Sequence, residues 1–253
     1  MFRIIITSFL LIALNTNCAQ NNSIYNQLLK EYVKDGLVNY KELKNDKRLD
    51  DYLETISKTN PSNFKKNKKL AFWINAYNAF TLKVVAENYP IESITELHTG
   101  GRIIGYLLGK TVWDKKFIII NKKKYSLNHI EHKILRKMND PRIHFAIVCA
   151  SISCPVLRDE AYVAEKINEQ LTEQTTLFFN DATRNYFDVK NRKAHISKIF
   201  SWFSEDFGDS DENILKFIAK YLPEQISKNI TSNINDWDVT YNDYNWNLND
   251  LKK

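Results

Sequence analysis

Six glycines in 253 residues leave no Gly-rich loop to cradle a phosphate, which excludes the common nucleotide-binding motifs. A formal charge of +6 is mild, and the aromatic residues (13%) are not interleaved with arginine, so the composition does not mark a nucleic-acid binder. The length suits one large domain.

The chain begins MFRIIITSFLLIALNTNC. One basic residue, Arg3, precedes an apolar run over 4–14 that is too short to cross a bilayer, for which about 20 residues are needed. Cys18 and the polar AQNNS follow. A basic start, a short apolar run and then a cysteine resemble a bacterial lipoprotein signal, in which the cysteine becomes the acylated N-terminus. Asn15 and Asn17 depart from that pattern, and the rival is an ordinary signal cut after Ala19. The expectation is a signal peptide over 1–17, a tether over 18–22 and one globular domain over 23–253. The body would be held to a membrane through Cys18, outside the cytoplasm, where disulfides persist. Cys149 and Cys154 would then be the only thiols.

Residues 23–34 carry Ile24, Leu28, Leu29 and Tyr32 at helical spacing, and 47–58 predict a second helix. LAFWINAYNAFTLKVVAENYP (70–90) is apolar nearly all round, as a helix inside a core must be. Lys83 and Glu87 mark its wet stripe. Asn75 and Asn78 interrupt the apolar surface and must find partners there, either in a neighbouring loop or by orienting a catalytic group. KKFIIINKKKYSL predicts a hairpin around Asn121. A helix follows from 128, where Asn128 and Glu131 have capping-box spacing. Glu131 also falls on the apolar face of Leu127, Ile130, Ile134 and Met138, so it is a cap or a site carboxylate. His132 lies on the flank of that face.

IHFAIVC (143–149) is apolar on both sides and predicts a buried central strand. In a regular strand His144 and Cys149 point to opposite faces and form no direct dyad. The loop ASIS follows, then a helix over 161–180, a hairpin across YFDVKNRKAHIS, helices near 198–206 and 211–222, and a polar-aromatic tail. The class is helix-rich α+β: a single compact domain with flanking helices around that strand.

FWINAYNAFTL, SLNHIEHKILR, DPRIHFAIVCASISCPVL, AYVAEKINEQL, LFFND, ISKIFSWFSEDFG and YNWNLN, in that order, resemble the family catalogued as domain of unknown function 547. The resemblance spans about residues 65–249. It implies an uncharacterised domain, often exported in bacteria, and a kinship with papain-like or transglutaminase-like cysteine hydrolases.

Four readings of the cysteines follow from their setting. In the first, Cys154 is a nucleophile at the N-terminus of a helix opened by Pro155, where the dipole lowers a thiol's pKa. His144, His132 or His129 would take its proton, and Asn75 or Glu131 would orient the imidazole. In the second, Cys149 and Cys154 form a disulfide, structural or redox-active. In the third, cysteines and histidines hold a metal, with His129 and His132 three apart. In the fourth, Cys149 is inert packing. The leading expectation is a membrane-tethered cysteine hydrolase or acyl transferase acting on amide or peptide bonds of an envelope substrate. It needs no cofactor and binds no nucleic acid. The alternatives are a non-enzymatic envelope module and a thiol/disulfide redox or metal-binding protein.

Overall fold

The computed structural model describes residues 22–101, 105 and 107–251. The expected signal peptide, Cys18 and residues 18–21 of the expected tether lie outside the described residues. Helix α1 occupies 22–32, so it takes in the last residue of that tether. Among the described residues no helix is long and apolar enough to cross a membrane.

A small hairpin, β1 (Val33–Lys34) with β2 (Leu37–Val38), leads into α2 (Tyr40–Leu43) and α3 (Lys47–Lys58). Gly36 closes this hairpin at φ +80°, and a Cβ there would meet the Val156 Cβ at 2.5 Å, so only glycine fits against the Cys154–Val156 loop. Helix α4 (Lys66–Asn88) runs through the core, with buried residues on every side, as its sequence requires.

The β3–β4 hairpin (Ile118–Ile120 with Lys123–Tyr125) turns at Asn121 and Lys122, both in the left-handed region. Helix α5 (127–138) follows. Helix α6 is Ile167–Asn180, later than the expected start at 161, because 161–166 run as an irregular segment and turn. A three-stranded sheet joins β5 (Tyr186–Asp188), β6 (Lys193–Ile196) and β7 (Asp238–Tyr241), with β6 and β7 parallel. Between β6 and β7 lie α7 (Ile199–Trp202), a 3-10 turn at Ser204–Phe207, α8 (Asp211–Ala219) and α9 (Glu224–Ser232). Helices and short antiparallel and mixed sheets give the helix-rich α+β class.

The apolar run 143–149 does not form the expected central strand. Pro141–Phe145 is a 3-10 helix, and 146–149 continue as an irregular segment, buried as far as Val148. Asn78 of α4 explains how. Its amide donates to the Ala146 carbonyl at 2.9 Å and accepts from the Val148 N–H at 3.0 Å. One side chain thus replaces a neighbouring strand, so the buried backbone groups are paired without a sheet. Asn75 does the same for Tyr162, donating to its carbonyl at 2.8 Å and accepting from its N–H at 2.9 Å.

The run also changes core as it proceeds. Phe145 packs in a carboxy-terminal cluster with Phe178, Phe179, Phe200 and Phe207, whereas Ala146–Val148 and Cys154 belong to the cluster around α4. The cysteine loop therefore begins at the seam between the two clusters.

Candidate functional site: a paired-thiol pocket

A cavity of about 160 Å³ opens at that seam, and Cys149 and Cys154 both line it. Four segments build it. The loop after the 3-10 helix brings the cysteines, α5 brings Glu131 and His132, α7 and the turn after it bring Trp202 and Phe203, and the tail brings Tyr244 and Trp246.

Backbone conformation sets the cysteines face to face. Ala150, between Cys149 and Ser151, is buried with φ +59°, a left-handed conformation that a non-glycine residue adopts only when its surroundings impose it. The tail supplies the constraint. Asn249 N–H donates to the Ala150 carbonyl, Ile152 N–H to Asn247 and Ser153 N–H to Asn245, at 3.2, 2.9 and 3.2 Å. From the other side Arg184 donates to the Ile152 and Cys154 carbonyls at 2.8 and 2.9 Å. The resulting sulfur–sulfur distance is 3.0 Å, and both thiols are free.

The two sulfurs are not equivalent. Cys149 is half-buried, and its sulfur lies 3.0 Å from the Cys154 thiol, 3.1 Å from the Ser151 hydroxyl and 3.1 Å from the Tyr244 hydroxyl. Burial raises its pKa, but hydrogen bonds from these three groups outweigh burial and bring it below the ordinary thiol value. Cys154 is 4% exposed, and burial together with the neighbouring Cys149 pushes its pKa well up. Cys149 is thus the sulfur that ionises first, with Cys154 as the protonated donor behind it.

This order of acidity is the opposite of the one behind the expectation that Cys154 attacks and Cys149 packs. The helix thought to activate Cys154 is absent: residues 155–158 are irregular, and the next helix starts at Ile167. Side-chain hydroxyls, one of them from the far end of the chain, do for Cys149 what a helix dipole was expected to do for Cys154.

Glu131 is 7% exposed in the wall of the same cavity. It is no cap. Ser126 caps α5, accepting from His129 N–H at 3.1 Å, while Asn128 donates to Asp114 instead. The middle of α5, His129–Leu135, is a π-helix. Its wide turn narrows the angle between neighbouring side chains, which lets Glu131 and His132 both reach the pocket; such turns recur at functional sites. Burial raises the Glu131 carboxyl to about 7, aided by the charge of Cys149 and only partly opposed by a 3.3 Å hydrogen bond from Tyr77.

The histidines are held apart from the sulfurs. His144 is 3% exposed and stacks on Phe203 at 4.1 Å between ring centres. Its Nε2 is 2.6 Å from Asp206, and its Nδ1 is 4.0 Å from Glu131. Arg136 grips the same Asp206 through Nε and Nη2 at 2.6 and 2.9 Å. Burial opposes ionisation of Asp206, yet the His144 and Arg136 hydrogen bonds hold it well below the usual carboxylate range. Burial also drives His144 toward its neutral form. The two shifts agree if neutral His144 donates from Nε2 to ionised Asp206, an assignment made from the hydrogen-bond network. Its Nδ1 lone pair then faces Glu131.

His132 accepts at Nδ1 from Arg136 at 3.0 Å, and burial lowers its pKa. His129 is exposed and packs edge-on against Tyr125. Among the described residues no histidine hydrogen-bonds either sulfur, although His132 and His144 line the same cavity. Asn75 spends its amide on Tyr162 and does not line the cavity. Among the described residues no group of three or more His, Cys, Asp or Glu side chains could hold a metal ion.

Four partners went unforeseen in the sequence: Ser151, Asp206, Tyr244 and Arg136. Only Tyr244 had a signal, the polar-aromatic tail whose YNWNLN segment laces the cysteine loop. Trp202, Tyr244 and Trp246 stack there with ring centres 4.6 to 5.7 Å apart, forming an aromatic wall over the thiols.

Residues 61–179 match the family model described as protein of unknown function, DUF547. The matched stretch includes Glu131, His132, His144 and both cysteines but ends before Asp206 and Tyr244. No curated protein and no solved structure matches the chain.

Proposed function

We propose that the pocket performs covalent catalysis at Cys149, as a cysteine hydrolase or acyl transferase acting on amide-type carbonyls. The observation that carries this reading is the convergence of the Cys154 thiol and the Ser151 and Tyr244 hydroxyls within 3.1 Å of one half-buried sulfur, in a cavity shared with a carboxyl poised near neutrality. The thiolate is the nucleophilic form, and these donors supply it without an imidazole.

The reaction runs in two halves. The Cys149 thiolate adds to the substrate carbonyl carbon, a C–S bond forms and the C–N bond breaks. Protonated Glu131 gives its proton to the departing amine. Glu131, now a carboxylate, takes a proton from water or an acceptor amine as that molecule attacks the thioester. The C–S bond breaks and the thiolate returns. The His144–Asp206–Arg136 chain fixes the charge and tautomer of the groups behind Glu131. The aromatic wall and small volume favour a compact apolar acyl group over a large folded partner.

A second reading rests on the 3.0 Å sulfur pair itself, which resembles an attacking thiol with a buried resolving thiol. A thiol/disulfide exchange protein needs both sulfurs, whereas the acyl-transfer reading needs only Cys149. Cys154→Ser separates them: turnover with acyl donors survives under the first reading, and a trapped mixed disulfide at Cys149 accumulates under the second.

The location proposed for this activity is the cell envelope, with the chain anchored by a lipid on Cys18. The signal-like run over 4–14 and the polar residues after Cys18 support it. Mass spectrometry of the mature N-terminus tests it: a triacylated or diacylated Cys18 is expected, and an unmodified Gln20 start contradicts it.

A further inference from the structure

We infer that a second, basic pocket between α4, the β3–β4 hairpin and α5 binds a phosphate ester. Lys69 of α4, Lys123 of β4, and Lys133 and Lys137 of α5 line a cavity of about 310 Å³ that no acidic side chain enters. It shares no lining residue with the thiol pocket.

The first observation is the gathering of like charge. Among the described residues Lys58, Lys83, Lys216 and Lys228 are ion-paired, with Glu54, with Asp50 and Glu87, with Glu212 and with Glu224; other unpaired lysines are scattered, whereas these four line one cavity. Among the described residues the side chains of the four pocket lysines have no ion pair or hydrogen bond. Three elements distant in sequence bring them to one concavity, and Lys133 and Lys137 are a like-charge pair one turn apart, an arrangement that disfavours the helix. Like charges gathered in a concavity focus a field that draws an anion.

The second observation is an unmet donor. Trp73, 3% exposed, forms part of the same wall, and its indole N–H has no acceptor. Buried donors without acceptors are rare and costly. An anion oxygen is the acceptor this inference assigns to it.

The rest of the lining sets the class of ligand. Tyr125 and Met138 offer an apolar surface beside the ammonium groups. A phosphate ester fits both halves, its head on the lysines and its organic part on these side chains. The same chemistry is offered by a soluble sugar or glycerol phosphate and by an anionic phospholipid headgroup.

Full-length protein is titrated by calorimetry with glycerol phosphate, and mixed with phosphatidylglycerol or phosphatidylcholine vesicles in a flotation assay. Lys133→Gln/Lys137→Gln is the comparison, since both side chains are exposed and the change spares the fold. Each neutralised lysine should weaken binding roughly fivefold, the worth of one charge near an anionic surface. Added salt should weaken it further. Saturable binding of glycerol phosphate, lost in the double variant, identifies a soluble ligand. Flotation with phosphatidylglycerol alone, reduced in the double variant, identifies a lipid headgroup. No glycerol phosphate binding, with wild type and double variant floating equally on both vesicles, overturns the inference and assigns any membrane binding to the N-terminal segment.

Discussion

The sulfurs of Cys149 and Cys154 lie 3.0 Å apart, and the backbone N–H of Cys149 donates to the Cys154 sulfur at 2.8 Å. With both thiols protonated the Cys149 S–H also donates to Cys154; once Cys149 ionises, the Cys154 S–H is the donor and the thiolate accepts. Cys154→Ala should therefore raise the Cys149 pKa and slow its alkylation by iodoacetamide near neutral pH. Cys154→Ser, which keeps a donor, should slow it less. Equal alkylation rates in wild type and the alanine variant across a pH series would show that Cys154 does not tune its neighbour.

Tyr244 tunes the same sulfur from the tail, with its hydroxyl 3.1 Å from Cys149. Tyr244→Phe keeps the ring in its stack with Trp202 and Trp246 and removes only the O–H. The alkylation midpoint should move to higher pH, while the melting temperature changes by only a few degrees. A large loss of stability with an unmoved midpoint would mean that the hydroxyl serves the fold alone.

Glu131 links chemistry to stability. Its pKa rises from 4.5 to about 7 on folding. Between these values the folded state holds a proton that the unfolded state has lost, so stability falls as pH rises through that window. The difference, about 7 minus 4.5, corresponds to roughly 3 kcal/mol. Glu131→Gln should remove this pH dependence, making the variant the more stable protein above neutrality and similar to wild type near pH 4. Its acyl-transfer activity should fall sharply, because the proton donor is gone. Parallel urea titrations at the two pH values measure the first effect; identical pH slopes in the two proteins would refute the raised carboxyl.

Asn78 and Asn75 test positioning against packing. Each amide pairs with two buried backbone groups, and removing it leaves both unmatched, at about 1–3 kcal/mol per group. Asn78→Ala and Asn75→Ala should thus destabilise comparably in urea unfolding. Only Asn78→Ala should also alter Cys149 alkylation in the folded state, since Asn78 holds the Ala146–Val148 backbone that leads to the sulfur. Equal effects of both on alkylation would mean that the reactivity of Cys149 follows overall stability.

The same asparagine shows where the sequence could and could not be read. Helix α3, Lys47–Lys58, has the predicted bounds, and the buried α4 was evident because an all-round apolar pattern admits little else. The run 143–149 misled for the same reason that it is buried. A short apolar segment satisfies a strand or an irregular core path equally, and what decides is the source of its backbone partners. Here that source is an amide on α4, nearly 70 residues away, which periodicity along the run cannot reveal. The order of acidity of the two cysteines was not legible. Local pattern suggested a helix after Pro155 and an inert Cys149, while the groups that set the thiols apart come from Ser151 and from Tyr244, 95 residues downstream. Glu131 was legible as a polar residue on an apolar face. That its cap duty falls to Ser126 was not, because Asn128 and Glu131 have capping-box spacing and the π-turn leaves no mark in a residue pattern.

Cys149 as the acylated atom is the central claim, and intact-protein mass spectrometry after brief exposure to a small p-nitrophenyl acyl ester tests it most directly. One acyl group should be retained per chain, mapped by digestion to Cys149, sensitive to hydroxylamine, present in Cys154→Ser and absent in Cys149→Ala. Acylation mapped to Cys154, or no adduct on a folded protein whose Cys149 still alkylates, would contradict the account.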